Sequence, residues 1–202
     1  IVANMLTKQE IGRQLLHIII GVVVAVLFYF NILSPLSTFL LIIIGLLISI
    51  ISKRTKLPLF SYFLERFERD EQKKKFPGKG LIFFFIGVLL VMKLFDKDIA
   101  LASIMVLAFG DSISHLAGAG FGKIKNIFNG KSKKLFEGTF FGTLAGFAGA
   151  VIFVPIPEAF LGSLVAMIAE VVKIDFNEKS LDDNLVVPLV AGTVMLLVRS
   201  YL

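Results

Sequence analysis

Long apolar runs separated by short polar segments dominate the chain, and this pattern predicts helices that cross a membrane. Seven such runs are present, at residues 11–30, 36–52, 80–95, 99–118, 138–154, 159–172 and 185–201. The first two are long enough to cross a hydrocarbon layer of about 30 Å at about 1.5 Å per residue, and the turn at 31–35 joins them into an expected helical hairpin. The third, sixth and seventh runs have uncharged cores of only 11 to 14 residues, so length alone also allows them to be re-entrant or buried in the protein.

Composition agrees with this pattern. The chain is 56% hydrophobic and 18% charged, and its mean hydropathy is +0.88, which is far too apolar for an ordinary soluble domain. We therefore predict an all-α polytopic membrane protein in which residues 1–202 form one integral-membrane domain. The 202 residues include no Cys, which excludes disulfides and thiolate metal sites.

The longest polar segment, residues 53–79, carries nine Lys or Arg against four acids. Within it, Phe60, Phe63, Leu64 and Phe67 recur at helical spacing along 58–67. This spacing predicts an amphipathic helix lying in the membrane surface. The alternative is a solvated charged loop whose apolar face is fortuitous.

The placement of basic residues predicts the orientation in the membrane. With a cytoplasmic N-terminus, 18 of the 21 Lys and Arg fall on the inner side, and only Lys93, Lys97 and Arg199 fall outside. This distribution follows the positive-inside rule, so the net charge of +6 indicates cytoplasmic loops and no nucleic-acid partner. The Gly/Lys-rich segment after the fourth run and the polar stretch before the last run then share the cytoplasmic face.

Two ionisable residues interrupt the fourth apolar run. Asp111 is costly to bury in a membrane helix, so a functional role is the default interpretation, although a structural hydrogen-bonding pair between helices is the alternative. His115 lies one helical turn later on the same face. At the other end of the chain, Glu10, Arg13 and His17 share one stripe of the first helix and are expected to form a second wall of the same site.

The segment that follows His115 is rich in Gly and Lys and closes on Glu137. Free backbone N–H groups and Lys side chains suit phosphate binding, but a solvated basic loop is an equally good account of the composition. The triplet 130–132 is not a P-loop, because position 125 is Lys where that motif needs Gly.

Acids at two predicted helix starts have a double interpretation. In one interpretation, the helix dipole alone favours Glu137, and Asp182, Asp183 and Asn184 are no more than caps of the last helix. Carboxylates facing a Lys-rich loop at a membrane surface are also what a Mg²⁺–nucleotide site requires. Spacing alone does not separate the two.

Several of these motifs together resemble the signature of the CTP-dependent lipid kinases, which comprise dolichol kinase, phytol kinase and a CTP-dependent diacylglycerol kinase. The matching residues cover nearly the whole chain: Glu10, Arg13, His17, the segments 76–80, 110–112, 121–123 and 131–132, Gly118, 137–139, 183–185 and Pro188. The chain is similar in turn to phosphatidate cytidylyltransferases, through 133–138. The chain lacks the C-terminal signature of the cytidylyltransferases and carries residues 182–185 in its place. The resemblance to the kinases is therefore the stronger of the two.

The resemblance implies transfer of the γ-phosphoryl group of CTP, with Mg²⁺, to a membrane lipid alcohol such as a polyprenol, a phytol-type isoprenoid or a diacylglycerol. It implies four catalytic residues: Asp111, His17, His115 and Glu137. It implies a nucleotide-binding set of Arg13, Lys79, Gly118, Gly122, Lys123, Lys131, Ser132, Lys133 and Thr139, and metal ligands Asp111, Asp183 and Asn184. The site is expected at the cytoplasmic face of a prokaryotic plasma membrane, or of the endoplasmic reticulum in a eukaryote.

Three classes of function stay open on the sequence. A lipid kinase releases CDP, a cytidylyltransferase-like CDP-lipid synthase releases pyrophosphate, and a small transporter uses neither. The run of small residues from Gly142 to Ala150 allows either close helix packing or a groove for the lipid chain.

Overall fold

The computed structural model describes residues 7–55, 58–68, 73, 75–124, 135–172, 175–176 and 179–201. In these residues the protein is all-α, with eight helices and one short antiparallel hairpin. The helices are α1 (Lys8–Tyr29), α2 (Pro35–Ser52), α3 (Pro58–Phe67), α4 (Lys79–Leu94), α5 (Lys97–Phe121), α6 (Phe136–Ala150), α7 (Ile156–Val171) and α8 (Asp183–Tyr201). The strands are β1 (Asp175–Phe176) and β2 (Lys179–Ser180).

Short capping signals set where several helices begin. The Thr7 side chain accepts a hydrogen bond from the backbone N–H of Glu10 and starts α1. Ser34 and Ser37 form a capping box at the start of α2, with Pro35 in its first turn. Gly78 precedes α4 with a φ of 77°, a left-handed conformation that a residue without a Cβ adopts readily. This turn brings the start of α4 to the site described below.

Helix α5 is the centre of the bundle. It contacts α1, α4, α6, α7 and α8, whereas α2 packs on α4 and α3 packs on α1. Its middle, Val106–Asp111, is a π-helical turn between two α-helical segments. Buried side chains of α5 such as Ile104 and Leu107 belong to the main hydrophobic cluster. The π turn ends on Asp111, so a wide turn of the kind often found at functional sites carries this acid.

Close packing explains the small residues of α6. Gly138, Gly142 and Gly149 lie against α5: a Cβ on Gly142 would stand 2.8 Å from the carbonyl oxygen of Gly110, and one on Gly138 would stand 2.7 Å from that of Ser114. The glycine face of α6 is therefore filled by α5. The sequence allowed either close helix packing or a groove for a lipid chain at this run. At these glycines the structure shows close packing of α6 on α5.

The amphipathic helix α3 has the predicted bounds, Pro58–Phe67. Its Leu64 is buried, and the ring of Phe67 lies against Gly12, where α1 offers no side chain. The Gln9 side chain also donates a hydrogen bond of 3.0 Å to the carbonyl oxygen of Glu68. Part of the apolar face that we assigned to the membrane surface thus packs on α1.

Polar contacts at one end of the bundle show how the helices alternate in direction. Arg199 at the end of α8 binds Glu158 at the start of α7 and Asp98 at the start of α5, each at 2.7 Å. Lys97 donates hydrogen bonds to Asn31 and to the backbone of Tyr29, just after and at the end of α1. The opposite end therefore collects the starts of α1 and α8 and the ends of α5 and α7.

Four helices, α1, α2, α5 and α8, are long and apolar enough to cross a membrane. The remaining three predicted runs also form helices, α4, α6 and α7, of 15 or 16 residues. Helices of this length extend over about 24 Å. All seven apolar runs of the sequence are therefore helices within the described residues.

Candidate active site

A cavity of about 310 Å³ opens where α1, α4 and α8 begin. Helices α3, α5 and the segment before α8 complete its walls. Its polar lining residues include Arg13, Gln14, His17, Glu68, Lys79, Asp111, His115, Asp182, Asp183 and Asn184, and its apolar ones include Leu16, Ile20, Phe63, Leu64, Phe67, Leu81 and Phe84. One cavity therefore gathers charged residues from five parts of the chain beside an apolar wall.

The wall from α1 carries a cation and an imidazole. The guanidinium of Arg13 forms an ion pair with Glu10, whose carboxylate also accepts a hydrogen bond of 3.0 Å from Gln14. His17 lies deeper and packs edge-on against the ring of Phe84, with ring centroids 5.1 Å apart. Its Nε2 atom is sealed from solvent and has no hydrogen-bond partner among the described residues. Two residues of the stripe predicted from the sequence, Arg13 and His17, line the cavity, and the third, Glu10, pairs with Arg13.

Acids and a histidine from three helices meet at the deep side of the cavity. The His115 Nε2 atom is 3.5 Å from Asp111 Oδ1 and 3.9 Å from Glu170 Oε1. With Asp183 at the start of α8, these residues offer four ligand atoms that all lie within 4.8 Å of one another. We call Asp111, His115, Glu170 and Asp183 the acidic cluster. Asp111 and Glu170 are both buried.

The rim of the cavity is organised by Asp182. One of its carboxylate oxygens lies 3.0 Å from Lys79 Nζ, and the other accepts hydrogen bonds from the backbone and side-chain N–H groups of Asn184. Asp182 therefore caps α8, as one of the two sequence interpretations has it, while Asp183 belongs to the cluster. The Asn184 Oδ1 atom is buried with no hydrogen-bond partner among the described residues.

Glu68 ties the segment after α3 to the start of α4. Its carboxylate accepts a hydrogen bond of 3.0 Å from the backbone N–H of Gly78. Burial raises the pKa of Glu68, while hydrogen bonds from the backbone of Gly78 and Lys79 oppose that change. The contact holds the start of α4, and with it Lys79, at the rim.

Other predicted site residues lie elsewhere or outside the described residues. Glu137 accepts hydrogen bonds from the backbone N–H groups of Lys123 and Ile124. These bonds hold the start of α6 next to the residues that follow α5, at the two ends of the Gly/Lys segment. Gly118 packs on Gly138, and a Cβ on Gly122 would stand 2.5 Å from the Leu135 side chain. Thr139 is buried in α6 near this point. Lys131, Ser132 and Lys133 lie outside the described residues, as does most of the Gly/Lys-rich loop.

Glu170 was missed by the sequence analysis. It is an acid in the last turn of an apolar run and is only 1% exposed, and its signal is the same as that of Asp111: a charged residue within an apolar run. Its position near the end of the run made it look like the boundary of the helix. Only packing of α7 against α5 and α8 brings it to the other acids.

The arrangement suits a polyanion bound through a cation. Three carboxylates placed together in a low dielectric repel one another, and a bound cation offsets that repulsion. Carboxylate oxygens are the ligands of Mg²⁺, which usually takes one or two of them together with phosphate oxygens. Arg13 and Lys79 at the rim add positive charge where phosphates would enter.

Comparison with known proteins gives a family for the chain. It is 30% identical over 191 residues to the uncharacterized protein MJ1137 of Methanocaldococcus jannaschii, and the match covers 93% of each protein. The chain belongs to the family of that protein. No family model matches the chain, and no solved structure matches it with statistical significance.

Proposed function

We propose that the protein phosphorylates a membrane lipid alcohol with CTP at the cytoplasmic face of the membrane. The observation that carries the proposal is the two-sided cavity, in which the acidic cluster and two cations face an apolar wall. The choice of CTP and of an alcohol acceptor comes from the sequence resemblance to the CTP-dependent lipid kinases.

The two sides of the cavity suit the two substrates. Phosphates need cations and metal-binding carboxylates, which the cluster, Arg13 and Lys79 supply. A lipid chain needs apolar contact, which Ile20 and Phe84 offer next to His17. A hydroxyl group at the end of such a chain would stand between the two sides. The reacting groups would then be held close together, which is the main source of catalysis in phosphoryl transfer.

The proposed topology has seven crossings with the N-terminus in the cytoplasm. The cavity lies at the bundle end where α1, α4 and α8 begin, and this is the end at which the Lys-rich segment 53–79 reaches α4. Arg199, Lys97 and Lys93 belong to the other end. The positive-inside rule then places the cavity in the cytoplasmic half, where a cytosolic nucleotide reaches it.

Cysteine labelling tests this topology, because the protein has no Cys of its own. A Cys at Lys75 is expected to react with an impermeant maleimide only in opened cells or inverted vesicles, and a Cys at Asn31 in intact cells. Both residues are exposed. The reverse pattern, or labelling of both positions from one side, would overturn the seven-crossing arrangement.

The chain's own residues divide the work of the proposed reaction. Asp111, Asp183 and Asn184 would hold Mg²⁺, which neutralises charge on the phosphates when bound. Arg13 and Lys79 would bind the nucleotide phosphates, together with the Gly/Lys segment that includes Gly118, Gly122, Lys123, Lys131, Ser132, Lys133 and Thr139. Glu137 would act by joining the two ends of that segment, through its bonds to Lys123 and Ile124.

In the transfer itself, the lipid oxygen forms a bond to the γ-phosphorus, the bond from that phosphorus to the β–γ bridging oxygen breaks, and CDP leaves. His17 would accept the hydroxyl proton, because its Nε2 atom has no other hydrogen-bond partner among the described residues and adjoins the apolar wall. His115 lies between two carboxylates of the acidic cluster and not beside the apolar wall, so it is less suited to this proton transfer.

The released product decides among the three classes of function. Purified protein with CTP and Mg²⁺ is incubated with a panel of lipid alcohols and with phosphatidate. A kinase releases CDP with one or more alcohols. Pyrophosphate released with phosphatidate would support a CDP-lipid synthase instead. CTP left intact with every acceptor would count against both enzymes and favour a transporter.

A further inference from the structure

We infer that the acidic cluster is a resident site for a divalent cation, with Glu170 and His115 as ligands alongside Asp111 and Asp183. The inference shares the cavity and the metal ligands Asp111 and Asp183 with the proposed function, but it depends on neither nucleotide nor lipid. Neither the sequence motifs nor the resemblance assigns Glu170, and the resemblance implies His115 as a catalytic residue and not as a metal ligand.

Convergence from separate helices is the first argument. Asp111 and His115 come from α5, Glu170 from the end of α7 and Asp183 from the start of α8, yet one ligand atom of each lies within 4.8 Å of the others. Octahedral ligand bonds of roughly 2.1 Å place opposite donors about 4.2 Å apart. Neighbouring donors of an octahedral ion lie about 3 Å apart, so side-chain adjustments on the order of 1 Å would bring all four donors onto one ion.

Burial and charge are the second argument. Glu170 is 1% exposed and lies at the C-terminal end of α7, where the helix dipole opposes a negative charge. His17 and Asn184 face the same cavity, and each keeps a buried polar atom with no hydrogen-bond partner among the described residues. A cation with water in its remaining coordination positions would satisfy both the carboxylates and these neighbouring atoms.

The donor set indicates which ions fit. Mg²⁺ and Ca²⁺ take oxygen ligands, whereas imidazole nitrogen is a ligand of transition metals. Three carboxylates and one imidazole suit a divalent transition-metal ion, and Mn²⁺ in particular accepts carboxylates readily. The site should therefore bind Mn²⁺ more tightly than Mg²⁺ or Ca²⁺.

Metal binding without substrates tests the inference. Full-length protein in detergent is stripped with EDTA and titrated with Mn²⁺, with free Mn²⁺ followed by electron paramagnetic resonance. Wild type is expected to bind one Mn²⁺, and Glu170→Gln to bind it at least about 10-fold more weakly. Asp96→Asn, which removes the same charge from an exposed position before the opposite end of α5, is the matched control and should retain the affinity. His115→Gln should remove the preference for Mn²⁺ over Mg²⁺.

Thermal unfolding in EDTA supplies the control for folding. Without metal, Glu170→Gln should unfold at or above the temperature of wild type, because one of three clustered charges is removed. If this variant is not recovered folded, Asp183→Asn at the start of α8 carries the same binding test.

Absence of Mn²⁺ binding by wild type, or undiminished binding by the tested variant, would overturn the site. Equal affinity of wild type for Mn²⁺ and Mg²⁺ would overturn the role of His115. A protein that binds Mn²⁺ but does not use CTP would refute the proposed function alone.

Discussion

Replacing Asp111 with Asn is expected to reduce the turnover of CTP by about 10³-fold, with the protein still folded in detergent. The change keeps the shape of the side chain but removes a charge from the acidic cluster, so the metal loses a charged ligand and the phosphates lose the neutralisation that the metal provides. Asp111 is buried at the end of the π turn, 3.5 Å from His115. Initial rates at saturating CTP and lipid measure the effect.

The matched control for Asp111 is Asp96→Asn. Asp96 lies just before the first residue of α5, at the end of the helix opposite to the cavity. It is exposed and makes no side-chain capping hydrogen bond. This variant should keep the wild-type rate. If Asp111→Asn retains near-normal turnover while remaining folded, Asp111 contributes to helix packing and not to the reaction.

Replacing Lys79 with Ala is expected to raise the CTP requirement or lower the rate by about 10²-fold, the scale for loss of one donor to the transferring phosphate. Lys79 lies at the cavity rim and pairs with Asp182, and its side chain is about one-third exposed (34%). Such a pair contributes at most about 1 kcal/mol to stability, so a loss of folding is not expected. The requirement for lipid should change little, because the apolar wall is untouched.

Lys93→Ala provides the comparison for Lys79, since it removes the same charge from the opposite end of the same helix. Its kinetic constants should equal those of wild type. Equal effects of the two substitutions would mean that the charge of α4 matters for membrane insertion and not for nucleotide binding.

Much of the helical framework can be predicted from the sequence, because helices that cross a membrane are recognised by their length and apolar composition. All seven apolar runs are helices, and α3 has the predicted bounds. Of the three runs with short uncharged cores, the third and sixth form the 16-residue helices α4 and α7, whereas the seventh forms α8, which is long enough to cross a membrane. Which helices cross the membrane depends on packing and lipid, which the hydrophobic pattern does not contain.

The candidate site was predictable where a charge stood out against an apolar background or matched a known motif. Arg13, His17 and Lys79 reach the same cavity as Asp111. Arg13 and Asp111 are nearly a hundred residues apart in the sequence, and only the fold brings them together. Their proximity was therefore predicted from the membrane orientation and the family resemblance, and not from local sequence. Glu170 had the right signal but no motif, and its partners become visible only when α7 packs on α5 and α8.

Two further features had no readable signal. The π turn at Val106–Asp111 lies in an apolar run that any regular helix would also fit. The ion pairs of Arg199 with Glu158 and Asp98 join residues that look like ordinary charged helix ends. Each depends on tertiary contacts formed by elements far apart in the chain.

The most direct test of the account follows the γ-phosphorus of CTP. Purified protein is given Mg²⁺, a dispersed lipid alcohol and CTP labelled at the γ-phosphorus, and the label is traced after extraction into organic solvent. The account predicts label in a phosphorylated lipid and an equal amount of CDP in the aqueous phase, both lost in Asp111→Asn. Label recovered only as pyrophosphate, or no transfer to any alcohol by folded wild-type protein, would contradict it.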